Sequence, residues 1–268
     1  MHSIDLNCDL GEGVGDDAAL MPLVTSANVA AGFHAGDPGT IRATVALAES
    51  HGVAIGAHPS LPDRDGFGRR PLPVTPVAAY DLVMYQAGAV AAFARAAGVR
   101  LHHVKAHGAL YNMAARDPAL AEALARAARE LGVVLYAQAG TAMTEAAVAM
   151  GVPAVAEVFA DRTYQADGTL TPRVHPAALI TDAAAAVAQA VRMVEERLVR
   201  SLDGTDVPVT PGTVCLHGDQ PGAAGFAIAL RAAFAARGIA VRAPTLGGGG
   251  SGGPVTGTMG PAAGAGPA

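Results

Sequence analysis

At five places in this chain, an alanine-rich segment of helical character ends in a glycine that is followed at once by valine or isoleucine. The glycines are Gly52, Gly98, Gly132, Gly151 and Gly238. Glycine just past a helix end is typical of a left-handed helix stop, and the short apolar run after each pair is typical of a buried strand. The repeat therefore predicts a chain in which helices and strands alternate.

Helix starts are marked as clearly as helix ends. Asp37, Thr75 and Asp117 each precede a proline, which places an N-cap side chain before the residue favoured at the first helical position. A further helix is expected from about Thr181, with an apolar stripe that runs to Leu198. The predicted strands are 3–9, 24–31, 53–58, 100–106, 133–138, 154–159, 213–217 and 239–242.

Apolar strands that alternate with helices predict a parallel sheet covered by helices. Seven or eight such units within residues 1–245 match the roughly 250 residues that a closed βα barrel uses. We therefore predict an α/β protein, a distorted TIM-like βα barrel of seven or eight parallel strands that forms one catalytic domain. Residues 246–268 are expected to form a flexible tail, because ten of the last 22 residues are glycine and none is charged.

Composition and charge argue against several classes of protein. A net charge of −5 without basic runs argues against a nucleic-acid partner. No run of about 18 uninterrupted apolar residues predicts a membrane span, and the N-terminal residues lack the pattern of a secretory signal. Two cysteines among 268 residues do not make a disulfide framework. We expect an intracellular, cytoplasmic protein with a small-molecule substrate.

Polar side chains collect where the predicted strands end, which is where βα barrels carry their chemistry. The first strand holds Asp5, Asn7 and Asp9 at alternate positions, so the three share one face. Burying three polar groups on one face is costly unless they serve a site or find partners. They therefore predict a site, with a hydrogen-bonded polar layer beneath it as the structural alternative.

The segments after the second and third strands carry histidine and arginine. His34 lies between glycines that permit a tight turn, whereas Asp37 is more simply a helix cap. His58 ends the third strand, and Arg64 and Arg69 lie in the glycine-rich loop after it. Such a loop suits an anionic substrate or a phosphate. Local ion pairs on a solvated loop are the alternative.

The fourth strand has the densest set of polar residues. His103, Lys105 and His107 share one face by alternation. A lysine among barrel strands can polarise a carbonyl or hold an oxyanion, and with a lowered pKa it can act as a nucleophile or base. Cys215, on a later strand, is expected to be an inert core thiol. The later strand ends also supply Glu157, Asp161, Arg162, His217 and Asp219.

Several widespread catalytic motifs are missing from the sequence. The glycines after Asp9 do not match the dinucleotide fingerprint, and no phosphate-binding P-loop is present, so a P-loop holds no nucleotide here. The G-x-S-x-G pattern occurs only at 249–253, inside the glycine-rich tail and not between a predicted strand and helix, and no H-E-x-x-H pair occurs. The set Asp9, His34, His58 and His217 could hold a divalent metal, although its spacing is not diagnostic.

Six segments at these strand ends resemble the successive motifs of the LamB/YcsF family. They are DLNCDLGEG, SANVAAGFHAGDP, GAHPSLPDRDGFGRR, HVKAHGALYN, EVFADRTY and HGDQP, in the family's order from residue 3 to about residue 240. Two departures are visible. Ala31 stands where the family usually has cysteine, which argues against a cysteine nucleophile in that loop, and Ala106 stands where it usually has proline.

The resemblance implies a barrel related to the polysaccharide deacetylase fold, and it also implies a reaction. The family is identified with the A component of the prokaryotic 5-oxoprolinase, which opens the lactam of 5-oxo-L-proline to L-glutamate. ATP is its co-substrate, and partner subunits B and C are required. Phosphorylating the amide oxygen would make the ring carbon electrophilic, and the barrel would then direct water at that carbon.

Residue roles follow from this implied reaction. Asp9 or His58 is expected to be the general base for water, with Lys105 and His107 stabilising the phosphorylated oxygen. The residues expected to bind substrate are Asn7, Glu12, Asn28, His34, Arg64, Arg69, Glu157, Asp161, Arg162, His217 and Asp219. Two alternatives stay open: a metal-dependent amidase or deacetylase that acts alone, and a non-catalytic component that captures a small acidic ligand.

Overall fold

The computed structural model describes residues 3–219 and 222–245. In chain order its strands are β1 (Ser3–Leu10), β2 (Ser26–Ala30), β3 (Ala54–His58), β4 (His103–Lys105), β5 (Val134–Gln138), β6 (Ala154–Phe159), β7 (Leu198–Arg200), β8 (Asp206–Pro208), β9 (Thr213–His217) and β10 (Ala240–Val241). Its α-helices are α1 (Asp17–Leu20), α2 (Pro38–Ser50), α3 (Pro76–Ala96), α4 (Gly108–Ala114), α5 (Pro118–Leu131), α6 (Ala142–Ala149), α7 (Ala183–Glu196) and α8 (Ala223–Ala236). The predicted tail, residues 246–268, lies outside the described residues.

Seven parallel strands close into a barrel in the order β1, β2, β3, β4, β5, β6 and β9, and β9 pairs back to β1. The register aligns Asp9 with Asn28 on one side and with His217 on the other. The short strand β10 pairs with Ser3 and Ile4, at the start of β1. The predicted TIM-like βα barrel is confirmed, and its strand number is seven.

Local sequence signals set the helix boundaries as expected. The Asp37 carboxylate accepts a hydrogen bond from the backbone N–H of Thr40 at 2.8 Å, and the Asp117 carboxylate accepts one from that of Ala119 at 2.9 Å. The five glycines of the repeated junction all have positive φ, between +64° and +80°. Because L side chains are strained in that region, these glycines fix where each helix stops and the next strand begins.

The expected helix through Leu198 was wrong at its end. α7 stops at Glu196, and Arg197, with φ of +58°, turns the chain into β7. β7 and β8 then form an antiparallel hairpin around a turn in which Gly204 has φ of +87°. Leu198 lies four residues after Val194, so its spacing fits the apolar stripe of a helix although the residue belongs to β7.

α3 is the one helix within the described ranges that is long and apolar enough to cross a membrane, judged by length and composition. Its apolar face is covered, since Ala79, Val83, Ala87, Val90 and Ala94 are all buried. The helix packs against α5 and β3. This is the packing of a helix in the outer layer of a barrel, and core helices of that kind pass the same composition test.

Two glycine substitutions should change stability in opposite directions. Gly132→Ala should lower the free energy of unfolding by about 1 kcal/mol, because alanine is strained at a φ of +68° although no atom blocks its methyl group. Gly88→Ala, inside α3 with open space around it, should raise it by about 0.5–1 kcal/mol through helix propensity. Urea unfolding of both variants is the measurement. A loss at Gly88, or a gain at Gly132, would contradict this account of the junctions.

Candidate active site

The lowest polar layer inside the barrel is built around Asp5. Its carboxylate accepts hydrogen bonds from the hydroxyls of Thr25 (2.6 Å), Ser26 (2.8 Å), Thr213 (2.7 Å) and Tyr136 (2.9 Å). Burial raises the pKa of Asp5, and the four hydroxyls offset part of that rise. Asp5 therefore belongs to a satisfied structural layer beneath the site.

A middle layer of amides lies above it. The Asn28 side-chain amide donates to Asn7 Oδ1 and to Asp9 Oδ1, both at 2.8 Å. Its carbonyl oxygen accepts from His103 Nε2 at 2.7 Å, which fixes the amide's orientation. The His103 ring leaves no space for a side chain at Gly56, where a Cβ would overlap it. This layer holds the Asp9 carboxylate in one position.

Lys105 lies at the centre of the upper layer and is 2% exposed. Its Nζ is 2.9 Å from Asp9 Oδ1 and 2.9 Å from Glu157 Oε1, and Tyr111 donates its hydroxyl proton to Glu157 Oε2 at 2.6 Å. Burial lowers the pKa of Lys105, but Asp9, Cys215 and Glu157 outweigh it and hold that pKa well above its usual range. Lys105 is therefore an ammonium that can stabilise negative charge, rather than a neutral nucleophile or base.

The carboxylate of Asp9 is held ionised by the same arrangement. Burial raises the pKa of Asp9, but His58 and Lys105 together lower it well below its usual range. Lys105 Nζ also lies 3.1 Å from Cys215 Sγ, a basic neighbour that sequence spacing could not reveal. Burial still raises the pKa of Cys215 well above its usual range, which agrees with the expected inert thiol.

The rings of His58 and His107 approach each other closely through one nitrogen each. His58 Nδ1 lies 2.8 Å from the Lys105 carbonyl oxygen, and His107 Nε2 lies 2.8 Å from that of Phe67. Since a carbonyl only accepts, both of these nitrogens carry protons. In the neutral rings the lone pairs of His58 Nε2 and His107 Nδ1 then point at each other across 2.9 Å. A proton or a cation between them would relieve that repulsion.

Two more side chains complete a cluster with this pair. His34 Nε2 is 3.2 Å from Glu12 Oε1, which is 3.6 Å from His107 Nδ1. One ligand atom from each of Glu12, His34, His58 and His107 lies within 4.8 Å of the other three. Burial lowers the pKa of His34 to about 2, and burial and His58 lower that of His107. Three imidazoles and a carboxylate, two of them oriented by backbone carbonyls, are compatible with a divalent cation.

The four metal ligands predicted from the sequence lie in two different groups of side chains in the structure. His34 and His58 belong to the cluster of three histidines and Glu12, whereas Asp9 and His217 lie in a second group with Cys215. His217 Nδ1 contacts Asp161 Oδ2 at 2.7 Å. Burial raises the pKa of Asp161, but His217 outweighs it and leaves that pKa lowered. Sequence order alone could not pair these residues, because loop conformation decides which strand ends meet.

One cleft opens over this layer at the carboxyl ends of the strands. The predicted site residues that line it are Asp9, Glu12, His58, Arg69, Lys105, His107, Arg162 and His217. Six further predicted residues lie beneath or beside the cleft and hold its lining residues through the contacts already described or through ion pairs. They are Asn7, Asn28, His34, Glu157, Asp161 and Asp219. Arg64 does not line it, because its guanidinium donates to the carbonyls of Gly32 and Gly36 at 3.0 and 2.9 Å.

The cleft also has lining residues that were not predicted from the sequence. They are Tyr111, Asn112, Phe159, Leu170 and Arg173. Tyr111 and Phe159 lie inside the quoted segments HVKAHGALYN and EVFADRTY, so those segments carried a signal for them. Leu170 and Arg173 lie in the long segment between β6 and α7, where no periodicity marked them.

Comparisons with known proteins agree on one family. The sequence model of the LamB/YcsF family matches residues 4–246. A Bordetella parapertussis protein, named as the A component of 5-oxoprolinase, is 57% identical over 248 residues, which cover 90% of this chain and 98% of that protein. A Methylococcus capsulatus protein of the same name is 56% identical, with 90% and 96% covered. The crystal structure of a lactam utilization protein from Thermus thermophilus matches with a TM-score of 0.84 and 45% identity, over 90% of this chain and 99% of that one.

Replacing the buried Lys105 ammonium with an uncharged side chain should lower the stability of the fold. Lys105→Met should lower the free energy of unfolding at pH 7 by about 3–5 kcal/mol, because Asp9 and Glu157 would lose the cation that compensates their burial. The pKa of Asp9 is lowered in the folded chain, so its pairing stabilises the fold above about pH 4 and is lost as pH falls through that lowered pKa. The difference between the variant and the parent chain should therefore shrink in acid.

Arg126→Met provides the matched control for Lys105→Met. Arg126 pairs with Glu130 on an exposed helix surface, and losing such a pair costs less than about 1 kcal/mol. Thermal and urea unfolding of both variants between pH 3 and pH 8 measures the difference. Equal losses in the two variants, or a Lys105→Met loss that is constant with pH, would contradict the role of Lys105 as the buried counter-ion.

Proposed function

This chain is a member of the LamB/YcsF family, and on that premise we propose that it opens the lactam ring of 5-oxo-L-proline as one component of a 5-oxoprolinase. The product is L-glutamate, and the reaction is hydrolysis of a cyclic amide. The observation that carries the proposal is the Lys105 ammonium, held by Asp9 and Glu157 in a cleft at the carboxyl ends of the strands. The names of the relatives support the substrate, and those groups supply the chemistry.

An amide bond in a five-membered ring is a poor electrophile because resonance delocalises the nitrogen lone pair. Transfer of the terminal phosphoryl group of ATP to the amide oxygen would break that resonance and make the ring carbon electrophilic. Water then adds to the carbon and the carbon–nitrogen bond breaks, which leaves an acyl phosphate with a free amine. A second water hydrolyses the acyl phosphate to L-glutamate and inorganic phosphate. We assign ATP as the co-substrate of the assembled enzyme, and a cytoplasmic location follows from that need.

The relatives are named as one lettered component of an enzyme, which supports an assembly of more than one kind of polypeptide. We propose partner subunits B and C, with which this chain would act on the activated lactam. The sequence carries no P-loop, so we do not place the phosphoryl donor on such a loop of this chain. This chain's contribution is then the cleft in which the ring opens.

Within the cleft we assign Lys105 to the oxygen of the scissile amide. Its ammonium is fixed before the reaction by Asp9, Glu157 and the Asn7 Oδ1 at 3.2 Å and is 2% exposed. Negative charge that develops on the amide oxygen therefore meets a preorganised positive charge in a site with little water. His107 is less suited to this role than expected. Its Nε2 proton is already given to the Phe67 carbonyl, and its Nδ1 faces His58.

Of the two predicted bases we assign Asp9, because it lines the cleft and its lowered pKa keeps it ionised near neutral pH. The lowered pKa also makes it a weak base, so it would take the proton of the attacking water only when attack on the activated carbon is well advanced. His58 Nε2 lies 3.3 Å from Asp9 Oδ2 and supports the carboxylate's position. We therefore assign Asp9 as the base and His58 as its neighbour in the histidine cluster.

We further propose that Glu12, His34, His58 and His107 hold a divalent cation. The distance of 2.9 Å between His58 Nε2 and His107 Nδ1 supports this assignment, because a cation bound by both nitrogens would take the place of the proton that otherwise joins them. A cation bound there would supply Lewis-acid polarisation to a group in the cleft. The same cluster favours a second candidate function, a metal-dependent amidase that acts without ATP or partners.

Metal binding by the cluster is tested directly. Chain stripped with a chelator should take up about one equivalent of Zn²⁺ per molecule by calorimetry, with a rise in melting temperature. His58→Ala should abolish most of that uptake, because it removes one of four ligands. His175→Ala, which changes an exposed histidine outside the cluster, should not alter uptake. Unchanged stoichiometry in His58→Ala would contradict the assignment.

The activity is tested by glutamate release from 5-oxoproline with and without ATP, for the chain alone and with its partners. Release that needs both ATP and partners supports the role in a multi-component enzyme, whereas chelator-sensitive release by the chain alone favours the amidase. Lys105→Met should lower turnover by at least 100-fold, while Arg126→Met leaves it unchanged. Near-normal turnover in Lys105→Met that remains folded would remove Lys105 from the mechanism, and no ring opening under any condition would overturn the substrate.

A further inference from the structure

Three arginines line the cleft, and one of them has no protein partner among the described residues. Arg69 donates to Asp219 at 2.7 Å, and Arg162 donates to the carbonyls of Thr171 and Ala178 at 2.7 and 3.3 Å. Arg173 makes no hydrogen bond or ion pair with any residue in the ranges 3–219 and 222–245. It lines the same cleft as Lys105 and is half-buried.

The charge of Arg173 is only partly compensated by its surroundings. Burial, and then the like charge of Arg69, lower the pKa of Arg173, and the more distant attraction of Asp219, Asp161 and Asp9 offsets only part of that effect. Its guanidinium carries five N–H donors, and leaving donors unpaired in a partly desolvated cleft costs free energy. An anion with two oxygens in one plane would satisfy both the charge and the donors, because the guanidinium edge matches a carboxylate in bidentate geometry.

We propose that Arg173 binds the carboxylate of the lactam substrate and thereby selects carboxylated lactams over plain ones. The inference rests on the proposed function, because 5-oxo-L-proline carries one carboxylate beside the ring nitrogen. Lys105 then meets the ring amide and Arg173 meets the carboxylate, so the two cations hold the ring by two separate groups. Arg162 and Arg69 are less suited to this contact, since each already has protein partners: two backbone carbonyls for Arg162 and the Asp219 carboxylate for Arg69.

The Asp9 carboxylate favours a carboxylate over a phosphate at this position. Asp9 also lines the cleft and its lowered pKa keeps it ionised, so a group with two negative charges would be repelled by it more strongly than a group with one. A phosphoryl group has oxyanions of similar chemistry, so the experiment has to separate the two sources.

The test compares ligands that differ only in the carboxylate. Affinities of the full chain for 5-oxoproline, for 2-pyrrolidinone (the same ring without the carboxylate) and for inorganic phosphate are measured by calorimetry. Arg173→Gln should weaken 5-oxoproline binding by roughly 10- to 100-fold, the usual range for a hydrogen-bonded charge pair. It should leave 2-pyrrolidinone binding unchanged, and Arg173→Lys should retain part of the affinity because it keeps the charge but not the fork.

Arg126→Gln is the matched control, since it removes an exposed arginine away from the cleft. The melting temperature of Arg173→Gln should stay close to that of the parent chain, because Arg173 makes no hydrogen bond or ion pair with the described residues that the substitution would remove. Equal weakening of both lactams, unchanged 5-oxoproline binding, or a loss confined to phosphate would overturn the role of Arg173 and leave the proposed function standing. Failure of the parent chain to bind 5-oxoproline both alone and together with its partner subunits would overturn the proposed function and this inference together.

Discussion

The buried ion pairs of Lys105 determine how the barrel interior is organised. A lysine enclosed among strands is tolerated only with compensating charge, and Asp9 and Glu157 supply it at 2.9 Å each. Their positions depend in turn on other groups: the Asn28 amide holds Asp9, and the Tyr111 hydroxyl holds Glu157. The charged centre therefore exists only when strands from the whole circumference of the barrel are in register.

Because side chains along β1 alternate between its two faces, Asp5, Asn7 and Asp9 lie in three successive layers of the barrel interior. Asp5 is surrounded by hydroxyl donors, Asn7 lies among amides, and Asp9 meets the charged groups of the cleft. Each layer restricts the one above it, from the hydroxyls to the amides to the carboxylate. Such support keeps the Asp9 and Lys105 side chains oriented without help from a ligand.

Sequence reasoning succeeded where the cause was local and failed where loops bring distant residues together. The left-handed glycines, the proline-preceded caps and the shared face of Asp5, Asn7 and Asp9 follow from backbone geometry within a few residues, so they could be predicted. The β7–β8 hairpin was missed because the spacing from Val194 to Leu198 also fits a helix. Arg173 was missed because only the folded path of its loop brings it to the cleft.

The short strand β10 brings the last described residues of the chain next to the first ones. It lies beside Ser3 and Ile4, and the carbonyl of Pro244 accepts from His102 just before β4. Both described ends of the chain therefore meet at the amino-terminal rim of the barrel, on the side away from the cleft. A fusion partner attached at residue 3 or at residue 245 would stay clear of the cleft, and a circular permutant that joins these two positions and opens a surface loop elsewhere would retain every strand of the barrel.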